Sequence, residues 1–173
     1  QISDNKNGEL MKKSIAIAIF AIFLTFSAEA MISFHIVETG LPYESERSRH
    51  SIQWENTFLD VFFDAGYIVS NYPILRLESK PDESILEASG FDVFDAMESG
   101  IDYILIAQLD YETVGQAPKG TSIYIFSIAR VEKIYEKHFS VNSYRSEREE
   151  LEEIKKIIGD QVKFFNDLWS GAR

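Results

Sequence analysis

The order of periodic segments predicts an α/β (α+β) fold: a mixed sheet of four to five strands, in the order β-α-β-α-β-β-β-α, with a long C-terminal helix packed on it. Three observations carry that prediction. Residues 103–107 (YILIA) form a continuous apolar run, as in a strand buried on both faces within a partly parallel sheet. Residues 122–131 read as an alternating strand, and 134–141 as its antiparallel partner. Ser146-Glu147-Arg148-Glu149 is a capping box, and it opens a helix that runs to about Trp169.

The other elements follow in chain order. Residues 31–38 (MISFHIVE) read as a first strand, closed by Gly40 and Pro42. A helix is expected over 45–65, with Ile52, Phe58, Leu59, Phe62 and Phe63 at helical spacing and Gly66 as its terminator. Residues 67–77 (YIVSNYPILRL) read as a second strand in which Pro73 marks a bulge or an edge position. Residues 80–90 start with a short helical turn, and 91–99 form a short helix stopped by Gly100. The central strand spans 101–111, and the loop 115–120 follows it. The break in the last hairpin is expected near Glu132-Lys133. Right-handed crossovers would place the helices over 45–65 and 91–99 on one face. Nothing resembling a linker or repeat divides residues 31–173, which read as one domain.

The N-terminal region has a different character. Met11-Lys12-Lys13, the apolar run 15–26 and the small-residue site Ala28-Glu29-Ala30 are the three parts of a secretory signal peptide over residues 11–30. That run is about a dozen residues, whereas a membrane-spanning helix needs about 20. The alternative is an uncleaved anchor. Cleavage after Ala30 would leave Met31 at the start of a periplasmic or secreted protein. Residues 1–10 read as translated leader sequence, since Asn-Gly-Glu-Leu before Met11 can be encoded by a GGAG-containing ribosome-binding site. An extended polar start to the signal peptide is the alternative, and on either reading these residues stay outside the fold.

Removing residues 1–30 leaves 143, enough for one core. The chain has no cysteine. That excludes disulfides, thiolate metal sites, a cysteine nucleophile and a lipidated N-terminal cysteine. The net charge is −11, and the first 30 residues carry three charges of each sign, so the remainder keeps it. An acidic surface repels phosphate backbones and anionic headgroups. No nucleic-acid partner is expected, and membrane contact only transiently through the signal peptide.

Chemistry-bearing motifs are scarce. The sequence contains no Walker-type glycine loop, dinucleotide fingerprint or G-x-S-x-G elbow. His35 reads as a strand residue and His50 and His138 as solvent-facing, with no ligand-like spacing between any two. The pairs Asp60/Asp64 and Asp102/Asp110 read as solvated carboxylates, with Asp102 available to cap the junction after Gly100. No catalytic residue, metal ligand or cofactor is expected.

The run Ala96, Gly100, Asp102-Tyr103-Ile104-Leu105, Ala107, Leu109 resembles the strand entry of a bacterial envelope family. That family comprises the TolB N-terminal domain, the activators of penicillin-binding proteins and the periplasmic part of the curli channel CsgG. The likeness extends in element order from Met31 to Trp169. It implies a protein that binds other proteins and has no catalytic residues. The penicillin-binding-protein activators and the curli channel are lipoproteins, and this chain lacks the cysteine for that. It also lacks segments long and alternating enough for the channel's membrane hairpins.

Two functions follow as expectations. The first is a periplasmic adaptor or accessory module of an envelope assembly, with a protein partner of unknown identity. The second is a small-molecule binder or a hydrolase of unrecognised type. Its ligand would lie at the carboxyl ends of the parallel strands, where the candidate rim is Thr39, Gly40, Arg76, Asp110 and Glu112. The discriminating feature is a concave polar pocket at that rim against a flat apolar patch elsewhere. On the C-terminal helix, Leu151, Ile158 and Phe165 are expected to pack on the sheet. Ile157, Phe164 and Leu168 extend the apolar stripe to about 160° and form the candidate partner surface.

Overall fold

The computed structural model describes residues 30–81, 84–140, 144 and 146–170. The expected leader over 1–10 and the expected signal peptide up to Glu29 lie outside the described residues. The elements are β1 (Met31–Thr39), α1 (Arg49–Asp64), β2 (Ile68–Asn71), β3 (Leu75–Leu77), α2 (Ile85–Ala88), α3 (Val93–Glu98), β4 (Tyr103–Asp110), β5 (Gly120–Ser127), β6 (Glu132–Ser140) and α4 (Glu147–Ser170). They build one mixed six-stranded sheet in the order β2-β1-β4-β5-β6, with β3 also paired to β1. The long C-terminal helix packs on the sheet, as the sequence predicts.

The expected second strand is two short ones on the same edge of β1. Asn71 pairs with Phe34 and Leu75 with Val37, so four steps on one strand match three on the other. The extra residue is a bulge next to Pro73, whose missing N–H cannot serve the ladder. β4 is parallel to β1 on one side and antiparallel to β5 on the other. Its residues Ile104 to Leu109 are all buried.

Helix α1 starts on Ser48, whose hydroxyl accepts from the N–H of His50. It stops at Gly66, φ +90°, where the N–H groups of Gly66 and Tyr67 return to the carbonyls of Phe63 and Phe62. The Phe62 and Tyr67 rings, 5.5 Å apart, supply the apolar contact of this stop. The last hairpin turns earlier than expected, over residues 128–131. Val131 takes φ +52° there, a left-handed conformation that branched residues rarely adopt. Without a glycine or asparagine at that position, the turn leaves no mark in the sequence.

The two apolar faces of the sheet carry separate clusters. Phe34, Phe58, Phe62, Leu105, Ile125, Ile154 and Phe165 belong to the first, beneath α1 and α4. Val37, Ile85, Ala96, Ile104, Ile106 and Phe126 belong to the second, beneath α2 and α3. Helices α1 and α3 therefore lie on opposite faces, and the expectation of one shared face fails. The reason is topological. From β1 the chain steps outward to β2, then back across β1 to β4, so two right-handed crossovers travel in opposite directions.

A candidate site at the carboxyl ends of the parallel strands

The ends of β1, β3 and β4 carry the predicted rim residues, of which Thr39 and Asp110 pair with each other. Thr39 Oγ1 donates to Asp110 Oδ1 at 2.5 Å, and Gln108 Nε2 donates to the same carboxylate oxygen at 2.8 Å. Lys80 Nζ stands 3.8 Å from Asp110 Oδ2. Lys119 Nζ donates to Glu112 at 2.9 Å on the exposed side. Gly40 has φ +80°, and a Cβ added there would stand 2.2 Å from the carbonyl oxygen of Tyr111. Any side chain at position 40 would push the two strand ends apart. The Tyr111 N–H also bonds the Thr39 carbonyl, extending the β1–β4 ladder one step beyond the strands.

Arg76 is not an open cationic group. Its guanidinium pairs with the carboxylate of Glu38, a residue with 0% exposure that was read from sequence only as the end of a strand. It also donates to the backbone carbonyls of Pro42, Ser45 and Glu46. Glu38 accepts from the Ser48 N–H at 3.1 Å as well. A charge buried this deeply must be paired and hydrogen-bonded, and here one arginine does that while fastening the loop that leads into α1.

Below the rim on the α1/α4 face lies a second polar group. His50 Nδ1 is 2.7 Å from Glu150 Oε1, with both side chains buried. Ser51 Oγ and the Tyr111 hydroxyl are 2.8 Å apart. Burial pushes the Tyr111 phenol up to about 12, helped by the Glu38 and Glu150 carboxylates and opposed by hydrogen bonds from Ser48 and Ser51. His50 is thus not solvent-facing, because its partner arrives from α4. His35 is buried on the opposite face, 5.8 Å from the Tyr72 ring. Desolvation lowers its pKa, and the backbone carbonyl of Pro73 works against that.

Beside the rim, on the α2/α3 face, a cleft of about 470 Å³ opens over Gln108, Tyr124 and Phe126. Lys80, Ile85, Val131, Lys133 and Glu136 are among its walls. Next to it the register of β5 and β6 sets Ser122 opposite His138. Ser122 Oγ is 2.7 Å from His138 Nδ1, and His138 Nε2 is 3.1 Å from Glu136 Oε1. Strand register assembles this trio, and no sequence spacing reports it. The His138 side chain is 59% exposed, so water competes for both ring nitrogens. The trio acts as a cross-strand hydrogen-bonded chain. Among the described residues no group of three or more His, Asp or Glu side chains is placed to hold a metal ion. None of the described helices is long and apolar enough to cross a membrane.

The candidate partner line on α4 meets the chain itself. Ile157 is buried, and the Phe164 ring lies 4.9 Å from that of Tyr135 on β6. Leu168 is half-buried against the first cluster. Of the line expected on the sheet, Phe165 reaches Tyr103 at 5.2 Å, and Leu151 lies at the α1 side.

No curated protein matches the chain. Among solved structures it is similar to a PelC dodecamer from Paraburkholderia phytofirmans, at 9% identity and TM-score 0.46, covering 75% of this chain and 85% of that one. It is similar to TolB from Acinetobacter baumannii, at 11% identity and TM-score 0.40, covering 83% of this chain and 30% of TolB. It is also similar to the C-terminal domain of LpoB from Salmonella enterica, at 11% identity and TM-score 0.37, covering 72% of this chain and 93% of that one. TolB is thus a structural neighbour as well as a member of the family that the run from Ala96 to Leu109 resembles. Residues 37–164 match a family model described as "Uncharacterised protein", and the chain belongs to that family.

Proposed function

We propose that this chain is an exported accessory module of a bacterial envelope assembly, working in the periplasm by binding another protein. The observation that carries the reading is the pairing at the rim: Thr39, Arg76 and Asp110 each bond to the chain's own groups. A site built to hold substrate presents free polar groups to its ligand. The signal-peptide pattern over residues 11–30 supports export, and the net charge of −11 supports a partner other than nucleic acid or an anionic bilayer. The domain is residues 31–173.

One observation favours a second reading, a periplasmic small-molecule binder. The cleft over Tyr124 is of the size that holds a small ligand, and two lysines and Gln108 face it. An affinity pull-down of the tagged mature protein from its own periplasmic extract separates the two. The accessory reading expects a defined protein that is retained equally by the wild type and by the double variant Lys80→Ala/Lys133→Ala. A small molecule released on denaturation from the wild type alone, with no protein retained, would replace it by the second reading.

A further inference from the structure

Helix α1 carries two apolar stripes, and the core uses one. Trp54, Phe58 and Phe62 are buried. At 100° per residue the opposite side presents Ile52, Asn56, Leu59 and Phe63 within about 60° of one another. Phe63 is 73% exposed and Ile52 42%, while Leu59 is half-buried. The five apolar residues that the sequence placed at helical spacing are therefore divided between two faces. A single exposed apolar side chain is ordinary. Here the exposed side chains form a ridge along one helix, beside a shallow groove of about 550 Å³ lined by Leu59, Asp60, Phe63, Asp64, Val69 and Leu151.

Charge decides what fits the ridge. Glu55 flanks it on one side and Asp60 and Asp64 on the other; Arg49, at the start of the helix, is paired with Glu147 at 2.6 Å, and Lys155 of α4 also lines the groove. Glu55 also accepts from Asn71 Nδ2 at 2.7 Å, which holds its carboxylate beside the ridge. A second copy of this chain would bring the same carboxylates face to face. A bilayer with anionic headgroups would meet the same repulsion. We propose that the outward face of α1 docks an amphipathic helix of a partner protein, its apolar ridge flanked by lysine or arginine. This rests on the reading of the chain as a protein-binding module. The partner's apolar side chains would cover Phe63 and Ile52, and its cations would pair with Asp60 and Asp64 at the rim of the contact.

The test uses a dye-labelled Leu/Lys peptide of about four helical turns, with a Leu/Glu peptide as its counterpart, titrated into the mature protein and followed by fluorescence anisotropy. Saturable binding of the Leu/Lys peptide is expected, weakened about tenfold or more by Phe63→Ser combined with Ile52→Ser. Asp60→Asn with Asp64→Asn should weaken it further and flatten its salt dependence. Phe94→Ser, which alters a 78% exposed side chain on α3, should leave binding unchanged. Because the altered residues are exposed, circular dichroism should report an unchanged fold for every variant. Absence of saturable binding would overturn the proposal. So would equal binding of the Leu/Glu peptide, or indifference to Phe63→Ser combined with Ile52→Ser. A peptide that binds but ignores this face overturns the docking surface alone, whereas the pull-down tests the accessory reading independently.

Discussion

The backbone N–H of Met31 donates to the carboxylate of Asp102 at 2.9 Å, joining the first residue of β1 to the residue just before β4. The Asp102 N–H returns a bond to the Met31 carbonyl, also at 2.9 Å. If cleavage follows Ala30, that nitrogen becomes the α-ammonium of the mature protein. The contact then becomes a charge-assisted bond between the new terminus and a carboxylate. Asp102→Asn should weaken that bond and cost about 0.5–1 kcal/mol, the range of an exposed pair. Urea unfolding of the mature protein and its variant measures the cost, and equal stabilities would contradict the pairing.

The His50–Glu150 pair should prove the more costly contact to break. Removing Glu150 by substitution to Ala leaves a buried imidazole without its partner, at a loss of about 3 kcal/mol. Replacing both, His50→Leu with Glu150→Met, should recover most of that loss, because two apolar groups need no partner. Urea unfolding of the single and double variants measures the coupling. Additive losses would show that the two side chains do not act as a unit.

What the sequence made legible were features with local causes. Pro73 announced the bulge, Gly66 the end of α1, and the run 103–107 the doubly buried strand. That the parallel strands end on one edge was legible too, because strand direction determines which ends lie side by side. What stayed hidden depended on distant or unmarked events. His50 meets a glutamate 100 residues away, and no spacing rule reports that. Val131 turns the chain without a turn residue. Glu38 looked like the polar end of a strand, and its burial became apparent only with Arg76 laid across it.

Acid and alkali should each destabilise the fold through a named side chain. His35 has its folded pKa lowered by burial, so between its unfolded value of about 6.5 and the lower folded one the unfolded chain binds more protons. Stability on that account is complete above about 6.5 and falls as pH drops. Tyr111 moves the other way. Its folded pKa of about 12 lies above the unfolded 10, so stability is complete below 10 and is lost as pH rises toward 12. His35→Phe should flatten the acid limb and Tyr111→Phe the alkaline one, in denaturant midpoints measured across pH. Unchanged limbs would assign the dependence to other groups.

Helix α4 should be indispensable to the fold. Ile154, Ile157, Ile158 and Phe165 are at most 3% exposed. Their burial is worth on the order of 8 kcal/mol before entropy, comparable to the net stability of a domain. A chain ending at Tyr144 should therefore show no cooperative thermal transition. A soluble, cooperatively melting product would remove α4 from the core and make it a binding element instead.

The central claim, an exported module held to a protein partner, is tested most directly on the protein taken from its native envelope without denaturation. Size fractionation followed by intact-mass analysis reads both halves of the claim together. The account predicts a chain that begins at Met31 and elutes with a heavier protein species from the periplasmic fraction. A chain that retains residues 11–30, or one that elutes alone at its own mass, would contradict it.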